Sequence, residues 1–220
     1  MDSSHEGNGV SNGPAGPGPR ILCVYGSPRV RGNTDRLLDA FILGAQEAGA
    51  AIERVYLRNL TISPCREIYA CRDRGECALR DDMTPLYGSL RTAEGIVLAS
   101  PVMFYAVSGH AKAFIDRCQA LWSVRHQRHK SVNRSRVPRR RAVLLSVGAS
   151  HGKRLFEGIG LTFRYFCDAV EAEPARSLTY RGIDGAGEIE SHPTALAEAR
   201  RAGEDLAREL GAAIPSSTGG

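Results

Sequence analysis

The chain has 220 residues, of which 42% are hydrophobic and 24% charged, and its formal net charge is +5. This size and composition suit one globular domain that can bury a core of its own, so stability does not require disulfide cross-links. No apolar run approaches the roughly 20 residues of a membrane span, and the N-terminus lacks the apolar stretch of a secretory signal. We therefore expect a cytoplasmic protein with no membrane partner.

Both ends of the chain have low-complexity composition. Residues 1–19 are rich in Gly, Pro, Ser and Asn and contain no aromatic side chain. Such a segment cannot bury enough apolar surface to offset the entropy lost on ordering, so we predict a disordered tail there and another over residues 213–220. Residues 20–212 remain as the folded domain.

Between these ends, strand-like and helix-like patterns alternate. Apolar runs predict five strands, at 21–26, 51–57, 95–101, 141–148 and, from a weaker signal, 174–180. Apolar residues at helical spacing predict helices at 34–49, 83–92, 108–123, 153–170 and 191–211, whereas 60–82 is predicted as an irregular loop. The alternation predicts a parallel sheet covered by helices on both faces, with ligands bound by the loops at the carboxyl ends of the strands.

The first of these loops has the sequence GSPRVRGNT, residues 26–34, and leads into the first helix. Unpaired N–H groups and the positive dipole end of a helix N-terminus favour an anion at such a place. Ser27 and Thr34 supply hydroxyl groups. Asn33 supplies an amide and Arg29 a positive charge. An ordinary turn with a helix cap at Asn33 or Thr34 explains the stretch equally well on the local pattern alone.

Two further strand-end loops contain candidate ligand contacts. SPVMFYAVSG follows the third strand and SVGASHG ends the fourth. The first offers a flat apolar and aromatic wall together with free main-chain N–H groups. Ordinary core packing would also explain Val102, Met103 and Phe104, but their position directly after a parallel strand favours a ligand site.

Three motifs together resemble a known family. GSPR…GNT, the stretch SPVMFYAVSGHAKAFIDR at 100–117 and the stretch CREIYACRDRGECALRDDM at 65–83 are similar to NADPH-dependent FMN reductases, and most similar to their iron–sulfur flavoprotein branch. The resemblance covers about residues 20–180. It implies a flavodoxin-like α/β fold, a three-layer sandwich with a five-stranded parallel sheet in the order 2-1-3-4-5.

The resemblance also implies a function. FMN would accept electrons from NAD(P)H and pass them to an acceptor, which would be flavin, a quinone, a nitro compound or a redox protein. Hydride transfer needs no general acid or base, so we nominate no catalytic side chain. The residues implied to contact FMN are Ser27, Arg29, Asn33 and Thr34 at the phosphate, Pro101, Val102, Met103 and Phe104 along the ring and ribityl chain, and Ser146, Gly148, Ala149 and Ser150 on the second flank.

Six cysteines are present, and three of them, Cys65, Cys71 and Cys77, stand six residues apart in the predicted loop. The iron–sulfur flavoproteins have a fourth cysteine in this motif where this chain has Ile68, so the four thiolates of a cubane cluster are one short. Three interpretations remain open. The cysteines are relics in a cluster-free flavin reductase, they bind a cluster whose fourth ligand is another Cys, Asp73 or water, or they bind zinc. With a cluster, the protein would be an electron carrier. The other three cysteines are expected to be small buried hydrophobic residues.

Residues 125–141, with the sequence RHQRHKSVNRSRVPRRR, contain eight Lys or Arg and no acidic residue. The rest of the chain is slightly acidic, so the positive charge is local and does not indicate a nucleic-acid-binding domain. A solvated loop, a contact with the extra phosphate of NADPH, or an interface in the homodimer or homotetramer that the family implies would each explain it. Trp122 would then pack at the subunit seam. A cofactor-free module that uses this loop to bind a partner is the remaining alternative.

Overall fold

The structure is a computed structural model that describes residues 9–12, 18–129 and 140–213. The strands in this part of the chain are β1 (Val10–Asn12), β2 (Arg20–Tyr25), β3 (Ala51–Tyr56), β4 (Gly95–Ala99), β5 (Arg141–Gly148) and β6 (Glu173–Arg181). The helices are α1 (Asn33–Glu47), α2 (Ala70–Arg74), α3 (Met83–Thr92), α4 (Gly109–Arg117), α5 (Gln119–His129), α6 (Glu157–Ala169) and α7 (Ala195–Ala212), with 3₁₀ turns at Leu57–Asn59 and Glu188–Ser191.

The strands form one sheet in the spatial order β1-β3-β2-β4-β5-β6. Strands β2 to β6 pair in parallel, which gives the order 2-1-3-4-5 when they are numbered alone. The predicted flavodoxin-like sheet is therefore confirmed. The chain runs from β2 outward to β3 and then crosses back to β4, so the topological switch point lies between the carboxyl ends of β2 and β4.

Strand β1 differs from the disordered tail predicted over residues 1–19. Val10 pairs antiparallel with Val55, and the N–H of Tyr56 donates to the carbonyl of Gly9 at 2.7 Å. Strand β3 would otherwise be an edge with unpaired main-chain groups, and a short segment of almost any composition can pair with such an edge. Other residues of the predicted tails, at 1–8, 13–17 and 214–220, lie outside the described residues.

The sheet is buried on both faces, which is why its central strands are continuous apolar runs. Leu22 and Val24 of β2 pack on one face with α3, α4 and α6. Ile21 and Cys23 pack on the other face with α1 and α7. Cys118 and Cys167 are also buried, so the prediction of three small buried cysteines is confirmed.

Besides shifts of a few residues at their ends, the helices differ from the predicted ones in three places. Helix α2 lies in the segment 60–82 that was predicted as an irregular loop. The helix predicted at 108–123 is divided near Cys118, whose N–H donates to the carbonyl of Ile115 in a 3₁₀-type bond of 2.9 Å that tightens the end of α4. Helix α5 then continues to His129, inside the segment predicted as a basic loop, and residues 130–139 are outside the described ranges. None of the described helices combines the length and apolarity that a bilayer crossing requires.

Helix α1 is fixed against the sheet by direct backbone contact with α7. A Cβ atom added at Gly44 would lie 2.0 Å from the carbonyl oxygen of Arg200, and one added at Gly203 would lie 1.9 Å from that of Phe41. The two glycines therefore allow the helices to approach until their main chains touch. This contact sets the position of the N-terminus of α1 at the switch point.

We expect Gly203→Ala to destabilise the protein by about 1–3 kcal/mol, because the added methyl overpacks this contact. Gly211→Ala in the same helix is the matched control, since a Cβ there would meet nothing within 4 Å. It should leave stability unchanged or raise it by up to about 1 kcal/mol. Urea unfolding of both variants measures the difference, and equal unfolding midpoints would contradict the role of the α1–α7 contact.

Candidate functional site

A cleft of about 200 Å³ lies at the carboxyl ends of the parallel strands. It is lined by Ser27, Pro28, Arg29, Gly32, Asn33, Thr34, Pro101, Val102, Met103, Val147, Gly148, Ala149, Ile183 and Asp184. Nine of the twelve residues predicted to contact FMN are in this set. The fold thus brings the three predicted loops, from distant parts of the chain, to one cleft.

The other three predicted residues do not line the cleft. Ser146 is buried, and its hydroxyl donates to the carbonyl of Ser100 at 2.7 Å, so it joins β5 to the end of β4. Phe104 and Ser150 are exposed. Phe104 lies in a tight turn in which Met103 and Ala106 exchange two main-chain hydrogen bonds of 2.9 Å, and the turn directs its side chain into solvent.

Ile183 and Asp184 are cleft residues that sequence reasoning missed. They follow β6, and the N–H of Ile183 donates to the carbonyl of Gly148 at 3.2 Å, which draws this segment beside the loop after β5. The sequence feature that could have identified them is their position directly after the fifth parallel strand. That strand is largely exposed and lacks a clear apolar pattern, so its loop was not considered.

Two side chains of the first loop support the loop itself rather than pointing free into the cleft. The hydroxyl of Ser27 accepts the N–H of Arg29 at 3.1 Å and donates to its carbonyl at 3.2 Å. Asn33 donates through Nδ2 to the carbonyl of Gly185 at 2.7 Å and accepts the N–H of Ile189 through Oδ1 at 3.2 Å. The Asn33 amide therefore connects the start of α1 to the segment after β6, and Asn33 also lines the cleft.

The main chain at the start of α1 remains available to an anion. Gly32 is the N-cap residue and makes no side-chain cap hydrogen bond in the described structure. The first N–H groups of any helix lack intrahelical partners and carry the positive end of the dipole. A Cβ atom at Gly32 would lie 3.2 Å from Ser27 Oγ and 3.3 Å from the carbonyl oxygen of Arg29, so the glycine permits the tight loop. Together with the cleft-lining Thr34, this cradle fits a phosphate group.

The opposite wall of the cleft is apolar. Pro101 and Val102 are partly buried, and Met103 is 40% exposed. The N–H of Val102 donates to the carbonyl of Val147 at 2.9 Å, and that of Met103 to Ala106. The N–H groups of these two residues are therefore paired within the protein. The wall can contribute apolar contact to one face of a planar ring.

The three spaced cysteines are not gathered around a common point. Cys65 is exposed, whereas Cys71 and Cys77 pack against the core and Cys71 Sγ lies 3.6 Å from Ser123 Oγ. Across residues 9–12, 18–129 and 140–213, no three His, Cys, Asp or Glu side chains are arranged to hold a metal ion. The thiols in this arrangement do not fit an iron–sulfur cluster or a zinc ion.

The cysteine-containing loop is held by a buried ion pair. Arg117, 1% exposed, donates to both carboxylate oxygens of Asp81 at 2.6 and 3.1 Å and to the carbonyl of Ser63 at 2.9 Å. Burial raises the pKa of Asp81, but hydrogen bonds from Arg117 and from the N–H groups of Ser63 and Met83 outweigh it and leave that pKa below its usual value. Arg117 therefore connects α4 to both ends of the cysteine-containing loop.

Comparison with known proteins gives a consistent assignment. Residues 19–174 match the family described as NADPH-dependent FMN reductase. An iron–sulfur flavoprotein of Methanosarcina thermophila is 35% identical over 98 residues, which cover 44% of this chain and 51% of the relative. One of Archaeoglobus fulgidus is 40% identical over 101 residues, which cover 46% of this chain and 51% of the relative. The chain thus spans about half the length of the curated relatives that it matches.

The fold is shared with solved flavoproteins. An NAD(P)H:quinone oxidoreductase from Methanothermobacter marburgensis superposes with a TM-score of 0.63 at 20% identity, covering 86% of this chain and 97% of the other. Because the identity is low, this likeness concerns the fold alone. The family match covers most of the chain, including the first-strand loop and the apolar wall of the cleft. The chain therefore belongs to the NADPH-dependent FMN reductase family.

Proposed function

We propose that the protein is an FMN-dependent oxidoreductase that transfers electrons from NAD(P)H through bound FMN to flavin, a quinone or a redox protein. The observation that carries the proposal is the cleft at the switch point. There the N-terminus of α1, free of a side-chain cap in the described structure, meets a glycine loop on one side and an apolar wall on the other. Membership of the FMN reductase family supports the choice of ligand.

Each part of the cleft has a task in this proposal. The first-turn N–H groups of α1 and the hydroxyl of Thr34 would bind the phosphate, and Arg29 would add positive charge. Pro101, Val102 and Met103 would contact the ring, with Gly148 and Ala149 on the second flank. FMN, when bound, supplies the redox chemistry. The protein holds and orients it and keeps water from the apolar wall.

We also propose a homodimer or homotetramer in the cytoplasm, with Trp122 at the subunit seam. A groove of about 370 Å³ runs between α4, α5 and α6, and it includes Trp122, which is 37% exposed, and Tyr165, which is 67% exposed. Large apolar side chains exposed in one groove are typical of an interaction surface.

NAD(P)H is included as co-substrate on the strength of the family, without a preference between NADH and NADPH.

The alternative of an iron–sulfur electron carrier rests on the names of the relatives. The arrangement of Cys65, Cys71 and Cys77 does not favour it, so no electron-transfer step is assigned to a cluster. The alternative of a cofactor-free module that uses the basic loop at 125–141 rests on a segment that lies largely outside the described residues. In such a module, the cleft at the switch point would have no ligand to bind.

A first test is the absorption spectrum of the protein after reconstitution with FMN. We expect the flavin band to bleach when NAD(P)H is added without oxygen and to return when a quinone is added. A protein that retains no FMN after gel filtration would contradict the proposal. A flavin band that NADH and NADPH both leave unchanged would contradict the oxidoreductase assignment while leaving FMN binding intact.

Thr34→Val tests the phosphate end of the cleft with an isosteric change. Loss of a hydrogen bond to a charged group costs about 1.5–3 kcal/mol, so FMN affinity should fall at least about tenfold. Thr92→Val is the matched control, since Thr92 is exposed on α3 and its hydroxyl donates to the carbonyls of Gly88 and Ser89 in its own helix. Fluorescence titration measures both affinities. Equal FMN affinity in the two variants would show that Thr34 does not contact the phosphate.

Ile68→Cys tests why the cysteine loop lacks a cluster site. We expect the wild-type protein, purified anaerobically, to contain substoichiometric iron and sulfide. Because the three existing thiols are not gathered around one point in the described structure, a fourth thiol alone should not create a site, so Ile68→Cys should take up no more iron than Ile68→Ser and far less than the about four irons per chain of a cubane cluster. A wild-type protein with about four irons per chain would favour the electron carrier instead.

A further inference from the structure

A buried ion pair lies directly beneath the phosphate loop, by which we mean residues 27–34. Asp35 is the third residue of α1, and its Oδ2 lies 3.0 Å from Arg58 Nη1. The two side chains are only 4% and 6% exposed, respectively. Arg58 belongs to the 3₁₀ turn Leu57–Asn59 that follows β3. The pair therefore connects the loop after β2 to the loop after β3, underneath the predicted anion site.

The same carboxylate also fixes the backbone of the phosphate loop. Oδ2 of Asp35 accepts the N–H of Arg31 at 3.1 Å, while Arg36 Nε donates to the Arg31 carbonyl at 3.2 Å. Arg31 has φ of 52°, in the left-handed region that residues with side chains rarely adopt. Two side chains of α1 thus hold both main-chain groups of the most strained residue in the loop.

Asp35 is a costly residue to keep at this position. Its Oδ1 is buried and has no hydrogen-bond partner in the described structure. Burial raises the pKa of this carboxyl to about 6, although Arg58 opposes the shift, and the nearby carboxylate of Asp39 raises it further. A buried carboxylate that is only partly satisfied costs folding free energy. Groups of this kind are concentrated at functional sites.

We propose that Asp35 is a positioning residue for the FMN phosphate, a proposal that rests on the proposed function. An acidic residue at the third position of a helix often caps the N–H of the N-cap residue. Here the carboxylate bonds Arg31, one residue outside the N-cap, and so leaves Gly32 and the first turn open to the anion. Arg58 neutralises the carboxylate, which would otherwise repel the phosphate.

The test compares FMN with riboflavin, which has the same ring and ribityl chain but no phosphate. Dissociation constants are measured by fluorescence titration for the wild type, Asp35→Ala and Asp35→Asn. Asp35→Ala should weaken FMN at least about tenfold, the effect of one lost hydrogen bond to the loop, and leave riboflavin unchanged. Asp35→Asn keeps a side-chain oxygen for the Arg31 N–H and should restore most of the FMN affinity.

Asp205→Ala is the control for loss of a carboxylate, because Asp205 lies on α7 in an exposed ion pair with Arg176. It should leave the ratio of the two dissociation constants unchanged. If Asp35→Ala does not fold because Arg58 loses its partner, Asp35→Ala combined with Arg58→Met removes both buried charges and should show the same selective loss of FMN.

Two results would overturn the proposal. The first is that Asp35→Ala binds FMN as tightly as the wild type. The second is that it loses affinity for FMN and riboflavin by the same factor, as a general loosening of the fold would produce. Failure of the proposed function is a separate result. In that case the wild type itself would bind neither flavin, or FMN no more tightly than riboflavin, which would overturn the phosphate site and the role of Asp35 together.

Discussion

The proposed function depends on the N-terminus of α1 at the switch point of the sheet, where no side chain in the described part of the chain makes a cap hydrogen bond. Most helix N-termini are closed by a capping side chain or by water. At α1 the N-cap is glycine, and the nearby polar side chains are engaged elsewhere. Ser27 bonds Arg29, Asn33 bonds the segment after β6, and Asp35 bonds Arg31 and Arg58. These hydrogen bonds shape the loop without a ligand, which would lower the entropic cost of binding the proposed phosphate.

Packing contacts far from the cleft also fix the position of α1. The glycine-mediated contact between α1 and α7 fixes the axis of α1, and so the direction of its dipole, relative to the strand ends. Asn33 connects the start of α1 to the segment that leads toward α7. The two helices that cover this face of the sheet, α1 and α7, are therefore both connected to the edge of the cleft. A change at either glycine would therefore alter the position of α1 at the proposed anion site.

Much of this architecture could be predicted from the sequence, because strands buried on both faces leave continuous apolar runs such as ILCVY at β2. The order of the five parallel strands and the meeting of three loops at one cleft followed from that pattern and from the family motifs. Pairings between distant residues could not be read in this way. Asn33 was predicted as a ligand from its amide group and from the family resemblance. Its hydrogen bonds to Gly185 and Ile189 could not be predicted, because these partners lie more than 150 residues away.

The direction in which a side chain points is a second feature that could not be predicted from the sequence. Ser146 lies at a strand end like the true cleft residues, but its hydroxyl points into the protein and bonds Ser100. Ile183 and Asp184 follow an exposed strand whose pattern gives little signal. The motif KAFIDR indicated the family from the sequence alone. The ion pair between its Arg117 and Asp81, which holds the cysteine-containing loop, could be recognised only from the structure.

The most direct measurement is a crystal structure of the protein with FMN. The account predicts the phosphate within hydrogen-bond distance of the main-chain N–H groups at the start of α1, with the hydroxyl of Thr34 beside it and the ring against Pro101 and Val102. A phosphate bound elsewhere, or first-turn N–H groups of α1 capped by the chain's own side chains in the presence of saturating FMN, would contradict it.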